Sequence, residues 1–524
     1  MKKHLLLFII ILKSYLLSAQ PSIQWQKSLG GSGRDFAPTI EKTLDGGYII
    51  AGITESNDSD VTGYRGNADY WIVKINNSGS IEWKKTLGGT DKDYPYSIQQ
   101  TSDEGYIVAG YSISDDIDIT GNHGQEDYWI AKLNNAGVLE WQKSLGGSNN
   151  DIAYSIQQTS SGGYIVAGST KSTDGDITFH HGSISIQNDF WIVNLDSTGG
   201  IIWEKSLGGG SSDIAYSVKQ TTDGGFIVAG NSNSTDGDVT GNHGTSGNSD
   251  FWIVKLNSSG IIQWQKALGG DLGDFAASIQ QTSDGGYIVA GNSFSSNGDV
   301  TLHYGSFVDY DYWIVKLDST GILMWQKTFG GTSTDMATSI RQTTDGGYIV
   351  AGYTNSDDWD LMGLHGITFD YDYWILKLSD SGVIQWQKVL GGTKDDVAFS
   401  VQETSDNGFI VSGNSRSNNR DVTGNNGESD FWIVKLSPLT GVNEIQTSIL
   451  DFQISPNPFS IQTFISFQHL VSKNVEIEIH DLEGRIIKKF NADKNEILWD
   501  ATNNWGSRVE DGIYFITVVT ENII

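Results

Sequence analysis

The sequence predicts an all-β protein: a seven-bladed β-propeller closed by its own N- and C-terminal strands, followed by a small Ig-like β-sandwich. Three observations carry this. A Trp-x-Lys element stands at Trp25, Trp83, Trp141, Trp203, Trp264, Trp325 and Trp386, at intervals of 58, 58, 62, 61, 61 and 61 residues. A Trp-Ile-Val-Lys-Leu element or near variant starts at Trp71, Trp129, Trp191, Trp252, Trp313, Trp374 and Trp432, so the two sets hold 14 of the 17 tryptophans. Each unit reads as four short strands separated by Gly/Asp/Asn/Ser turns, without helical periodicity.

Taken in order, residues 1–19 read as a secretory signal peptide: Lys2 and Lys3, an apolar run from Leu5 to Leu12, then Ser18-Ala19. The propeller spans 20–437. In the fourth unit the strands are Ala215 to Gln220, Phe226 to Asn231, Phe251 to Leu256 and Ile261 to Lys266. Thr222-Asp223-Gly224-Gly225 and Asn257-Ser258-Ser259-Gly260 form the hairpin turns. Phe251-Trp252-Ile253-Val254 is apolar on both faces, as a sheet covered on both sides requires. A linear solenoid would use shorter rungs, of roughly 20–30 residues. The first unit begins with an unpartnered strand, Ile23 to Lys27, and the last ends with an unpartnered one, Phe431 to Leu436. Joining them completes the seventh sheet and hides its edges. Residues 438–450 read as a linker. Residues 451–524 alternate apolar and polar residues, as in Val475-Glu476-Ile477-Glu478-Ile479, and predict the sandwich.

The segment from each Trp-Ile-Val-Lys-Leu strand to the next Trp resembles the tryptophan-docking repeats of quinoprotein propellers, most closely at Asp196-Ser197-Thr198-Gly199 with Trp203. The Leu-Gly-Gly-Ser…Asp and Gly-Tyr-Ile-Val-Ala-Gly parts resemble β-propeller repeats of bacterial surface proteins, over residues 21–437. This resemblance implies a strand order, from the axis outward, of the Ala215, Phe226, Phe251 and Ile261 strands. The C-terminal motifs Pro456-Asn457-Pro458, Gly484-Arg485 and Gly512-x-Tyr514 resemble the C-terminal sorting domain of type IX secretion cargo in Bacteroidota. That resemblance implies the type IX secretion machinery as a partner, and passage through the periplasm to the outer cell surface or the extracellular space.

The charge excludes other partners. With 63 Asp+Glu against 33 Lys+Arg the net charge is −30, and loss of Lys2, Lys3 and Lys13 with the signal takes it to −33. Nucleic acid and anionic membranes are repelled. No segment after the signal is apolar enough to span a bilayer. The absence of Cys excludes disulfides and thiol chemistry.

With the implied strand order, rows of aspartates share one face. Asp60, Asp118, Asp176, Asp238 and Asp360 sit in a long loop, two residues after Asp58, Asp116, Asp174, Asp236 and Asp358. Turn chemistry explains such residues; oxygen ligands on a Gly-bearing loop also suit Ca²⁺, the one cofactor suggested, though none is required. His123, His180, His181, His243, His303 and His365 share this loop and read as solvated residues. The loop Asp stands 11 positions before the Trp in copies one, two and seven, but 15, 14, 14 and 14 in copies three to six. The longer loops form a lip whose aromatics, Phe179, Tyr304, Phe307, Tyr310, Trp359, Phe369 and Tyr371, are the candidate ligand site. Neither a Gly-x-Ser-x-Gly elbow nor a His-Glu-x-x-His pair is present. The expectation is a monomeric, non-catalytic binding or adhesion protein for a glycan or protein ligand. A carbohydrate-active enzyme and a structural surface-layer component are the alternatives.

Overall fold

The computed structural model describes residues 6–7, 20–439 (apart from 183–186, 244–246, 307, 359, 362 and 366–369), 452–455, 462–467, 475–480, 485–492, 496–509 and 513–520. The chain divides into two compact units, Ser18–Leu439 and Met1–Leu17 with Thr440–Ile524.

In the first unit the described residues form seven four-stranded antiparallel sheets. Blade 4 is typical: Asp213–Gln220, Phe226–Ser232, Asp250–Leu256 and Ile262–Leu268, hydrogen-bonded in that order. The first strands of blades 1 to 7 begin at Asp35, Asp93, Asp151, Asp213, Asp274, Asp335 and Asp396. Adjacent first strands touch. Ser155 Oγ accepts from Val218 N–H (3.2 Å) and Gln157 Oε1 from Gln220 N–H (2.7 Å), so these strands line the axis. The turns follow from their residues: Gly224 (φ 80°) and Gly260 (φ 76°) take the left-handed conformation that a side chain resists.

Neighbouring blades are held by aromatic pairs. Each third-strand Trp is fully buried and packs on the Tyr or Phe that precedes the equivalent Trp of the previous blade. The contacts Tyr70–Trp129, Phe190–Trp252 and Tyr373–Trp432 have ring centroids 4.3, 4.5 and 4.5 Å apart. Phe431–Trp71, at 4.6 Å, closes the circle from blade 7 to blade 1. Where the first member is Tyr, its hydroxyl donates to the Trp carbonyl, as from Tyr128 to Trp191 O (2.9 Å). The fourth-strand Trp docks on the next blade: Trp203 Nε1 donates to Ser258 O (3.1 Å), and its ring lies over Gly260, where a Cβ would intrude.

On the face where the first strands end, a buried third-strand lysine caps most blades. Lys255 Nζ donates to Asp223 Oδ2 (2.9 Å), Leu256 O (3.0 Å) and Gln263 Oε1 (3.0 Å). Blade 3 changes both partners together, with Asn194 for the lysine and Ser161 for the aspartate. An isolated buried charge is thereby avoided.

The closure occurs as the ends of the repeat predict. Ile23–Leu29 pairs antiparallel with Asp430–Leu436, Trp25 opposite Lys435, as the outer strand of blade 7. Ser437 N–H donates to Ser22 O (2.8 Å) where other blades have a covalent turn. Asp35 N–H donates to Ser429 O (2.7 Å), joining blade 7 to blade 1.

In the second unit, Phe452–Ser455, Thr463–Phe467 and Glu496–Trp499 form one sheet. Val475–His480 lies between Ile486–Ala492 and Ile513–Thr520 in another, with Leu6–Leu7 parallel to Ile513–Tyr514 at its edge. Ile465, Ile477, Ile479, Trp499, Tyr514 and Ile516 fill the core. Of the predicted motif, Tyr514 is buried against Trp499 (5.3 Å) and Arg485 is exposed; Pro456, Asn457, Pro458, Gly484 and Gly512 lie outside the described residues.

Two expectations follow. Deleting residues 21–29 removes a full strand and the seam of the ring, so the whole propeller should melt earlier by calorimetry; an unchanged melting temperature would contradict closure. Six of the third-strand tryptophans donate Nε1 to a Gln or Glu on the outer strand, such as Gln265 (2.8 Å). In blade 1 that position is Lys84, which cannot accept, and Trp71 Nε1 is buried without a partner among the described residues. Lys84→Gln should stabilise the protein by about 1 kcal/mol in denaturant unfolding.

Candidate functional site

The paired acidic residues of the long loops sit on the face where the first strands begin. The earlier member of each pair holds the Gly-Gly loop of its own blade. Asp58 Oδ1 accepts from Ser32 N–H (2.7 Å), Asp116 from Thr90 (2.8 Å), Asp174 from Ser148 (2.8 Å), Asp236 from Gly210 (2.6 Å) and Asp358 from Thr332 (2.8 Å). Asn297 and Asn419 accept the equivalent bond, at 2.9 and 3.0 Å, so the position needs an acceptor and not a charge. The later member returns to the same loop: Asp118, Asp176 and Asp238 accept from Gly88, Gly146 and Gly208 N–H (3.3, 3.1 and 3.3 Å), while the Asp60 and Asp360 N–H groups donate to Gly30 and Gly330 O (3.2 and 3.4 Å). Among the described residues no group of three or more His, Asp or Glu is arranged to hold a metal ion.

Beneath these loops the structure assembles something the sequence rows do not reveal, a pair of buried aspartates at every blade junction. Asp69, opening the third strand of blade 1, meets Asp93, opening the first strand of blade 2. A Cβ on Gly88 would lie 2.7 Å from Asp69 Oδ1 and 2.6 Å from Asp93 Oδ2, so only glycine passes between them. The pairs Asp127/Asp151, Asp189/Asp213, Asp250/Asp274, Asp311/Asp335, Asp372/Asp396 and Asp430/Asp35 repeat this at Gly146, Gly208, Gly269, Gly330, Gly391 and Gly30. The first member of each pair keeps Oδ1 buried without a hydrogen-bond partner among the described residues. Burial, ahead of the neighbouring carboxylate, pushes Asp93 up to about 7 and Asp311 to about 8. It outweighs the hydrogen bonds that Asp93 accepts from Ser112, Gly89 and Ser114.

Several loop histidines bracket these junctions and are not simply solvated. His181 Nδ1 lies 3.1 Å from Asp189 Oδ2 and its Nε2 lies 3.3 Å from Asp238 Oδ2 of the next blade. His243 spans Asp250 and Asp299 in the same way, at 2.9 and 3.7 Å. Arg65 occupies the position in blade 1, bridging to Asp118. In blade 5 the position belongs to Tyr304, whose N–H donates to Asp311 Oδ2 (2.7 Å); His303 turns inward to Asp309 O (2.8 Å).

The lip is therefore less open than its composition suggests. Tyr304 is half-buried at the junction. Tyr310 stacks on Phe294 (3.6 Å), and Tyr371 meets Tyr353 edge-on (5.1 Å). Phe179 is 59% exposed, edge-on to His181. Phe307, Trp359 and Phe369 lie outside the described residues.

The axis carries a different aromatic group. Position four of the first strands reads Pro38, Tyr96, Tyr154, Tyr216, Ala277, Thr338 and Phe399 around the ring. Tyr154 lies 4.9 Å from both Tyr96 and Tyr216, forming a continuous arc over blades 2 to 4. Their hydroxyls have no hydrogen-bond partner among the described residues, and burial raises all three phenol pKa values, Tyr96 to about 12. They remain neutral donors and acceptors at physiological pH. Ala277 and Thr338 are small at this position in blades 5 and 6, while Phe399 of blade 7 packs on Phe36 (4.6 Å). The asymmetry is legible in the sequence once the repeats are aligned at this one position. On the opposite face, a groove of about 420 Å³ between blades 1 and 2 is lined by Lys74, Asp45, Glu82, Trp83, Glu104 and Tyr106, with Lys74 already paired to Asp45 and Glu82.

Residues 453–523 match the family described as "Secretion system C-terminal sorting domain". The C-terminal unit is a type IX sorting domain. It directs export to the cell surface or the extracellular space, and the propeller is its passenger. The regulatory protein FlaEY of Caulobacter vibrioides is 27% identical over 191 residues, which are 35% of this chain and 20% of that protein. This chain thus matches only about a fifth of that relative's length. The Pan2 WD40 domain of Neurospora crassa is similar in fold at 12% identity, TM-score 0.43, covering 78% of this chain and 98% of its own. Sqt1 of Chaetomium thermophilum has 10% identity and TM-score 0.40, covering 79% and 100%.

The aspartate junctions make the stability of the sorting domain's passenger pH-dependent. A folded-state pKa raised above the unfolded value of 3.8 means the folded state holds more protons between them. That stability is fully present below about 4 and is lost as pH rises through about 6 to 8, where these groups ionise. The propeller should melt at a higher temperature at pH 5 than at pH 8, at fixed ionic strength. Asp311→Asn keeps the acceptor for Tyr304 N–H and should shrink this difference; an unchanged difference would show that the pairs do not control it.

Proposed function

We propose that the exported propeller is a non-catalytic binding module whose axial arc, Tyr96, Tyr154 and Tyr216, holds a saccharide. The observation that carries this reading is three adjacent phenols, rings packed and hydroxyls unpartnered among the described residues, on one side of the axis, where no other blade has a tyrosine at the same position. Aromatic faces cover the apolar C–H surface of a sugar ring, while phenol hydroxyls exchange hydrogen bonds with its hydroxyls. A ligand bound once per ring needs a break in seven-fold symmetry, and position four supplies it. Export places such a module where glycans are met.

Glycan-array binding by the full chain, followed by calorimetric titration of a hit, tests the reading. Tyr96→Ala with Tyr154→Ala should weaken binding at least tenfold, or about 1.4 kcal/mol or more, with an unchanged circular-dichroism spectrum. Normal binding by that variant, with loss in Phe179→Ala, would move the site to the lip. Release of a cleaved sugar would favour the enzymatic alternative.

A further inference from the structure

Three residues beyond the tyrosine arc, about 10 Å along an extended strand, the first strands present a second axial ring. Position seven reads Glu41, Gln99, Gln157, Lys219, Gln280, Arg341 and Gln402. The four glutamines perform one structural task. Gln99, Gln157, Gln280 and Gln402 Oε1 accept the backbone N–H of Gln158, Gln220, Gln342 and Lys42 in the next blade, at 2.7, 2.7, 2.8 and 3.1 Å. Lys219 and Arg341 have no acceptor and cannot make this bond. Arg341 Nη2 instead reaches Glu41 Oε1 (3.3 Å), two blades away, with both side chains about a quarter exposed. Lys219 has no hydrogen bond or ion pair among the described residues, though it is only partly exposed. Position seven thus carries two cations and one carboxylate, a net positive ring in a chain of charge −30.

We propose that this mouth binds a carboxylate-bearing ligand between Lys219 and Arg341. The Arg341 guanidinium already takes one carboxylate, that of Glu41, and its planar fork has further N–H donors. A second carboxylate would balance the trio's charge and give Lys219 the partner it lacks. Burial, with Arg341 adding to it, lowers the Lys219 pKa to about 8, the mark of an ammonium without a sufficient counter-ion. The site stands apart from the saccharide reading, because it uses different residues and its probe need not stack on tyrosine.

The test uses the full chain with sodium glucuronate as probe and glucose as the neutral control, titrated calorimetrically at pH 7 and constant ionic strength. Saturable glucuronate binding is expected, tighter than any binding of glucose and dependent on Lys219, on which glucose binding should not depend. Lys219→Gln installs the residue that makes the inter-blade bond in four other blades, with Gln281 N–H as its donor. This variant should fold with an equal or higher melting temperature while binding glucuronate at least tenfold more weakly. Arg341→Gln should weaken it similarly. The proposal is overturned if the wild type shows no saturable binding, or if Lys219→Gln binds glucuronate as the wild type does. Loss of neutral-sugar binding in the tyrosine variants with glucuronate binding intact would separate the two sites.

Discussion

The fold depends on the contact between a third-strand Trp and the aromatic residue beside the equivalent Trp of the previous blade. A single four-stranded sheet cannot bury both of its faces. Each blade therefore has to present an apolar face to two neighbours, and Tyr70–Trp129 or Phe190–Trp252 is the point where those faces lock. The contact is large and directional, with rings tilted by about 50°. Because it runs from blade to blade in one sense, it has to end where it began, and Phe431–Trp71 meets that demand at the seam. The strand borrowed from the N-terminus then covers the last exposed edge.

The seven copies act as a set of natural substitutions on one scaffold. Blade 3 loses its buried lysine and that lysine's aspartate together, which shows the two as a unit. Lys84 replaces the acceptor for one indole and leaves Trp71 Nε1 unmatched. Asn297 and Asn419 do the work of aspartate, so that row serves the loops by accepting hydrogen bonds. The junction aspartates never vary to Asn, yet they are buried as close pairs. At every junction burial raises the pKa of at least one of the two carboxyls.

Function in such a ring has to be sought where the symmetry fails. The long-loop lip breaks it in backbone length, but its described tyrosines are spent on packing and on a junction. The axis breaks it in chemistry. Position four gathers tyrosines on one side, and position seven replaces four-times-used glutamine with Glu41, Lys219 and Arg341. Those three forgo an inter-blade hydrogen bond, and two of them turn to each other across the axis instead.

Periodicity alone determined the blade number, the four strands of each blade, the closure and the change of composition at the C-terminal domain. These depend on local pattern: alternation, turn residues and the spacing of tryptophans are written along the chain. The sorting domain was legible for the same reason, through short motifs in a fixed order. The partners of the polar residues were decided only by the tertiary structure. Asp69 and Asp93 lie 24 positions apart with nothing in the sequence to pair them, and Arg341 finds Glu41 across 300 residues. Burial and convergence around an axis arise from packing seven sheets together, and a single repeat contains neither.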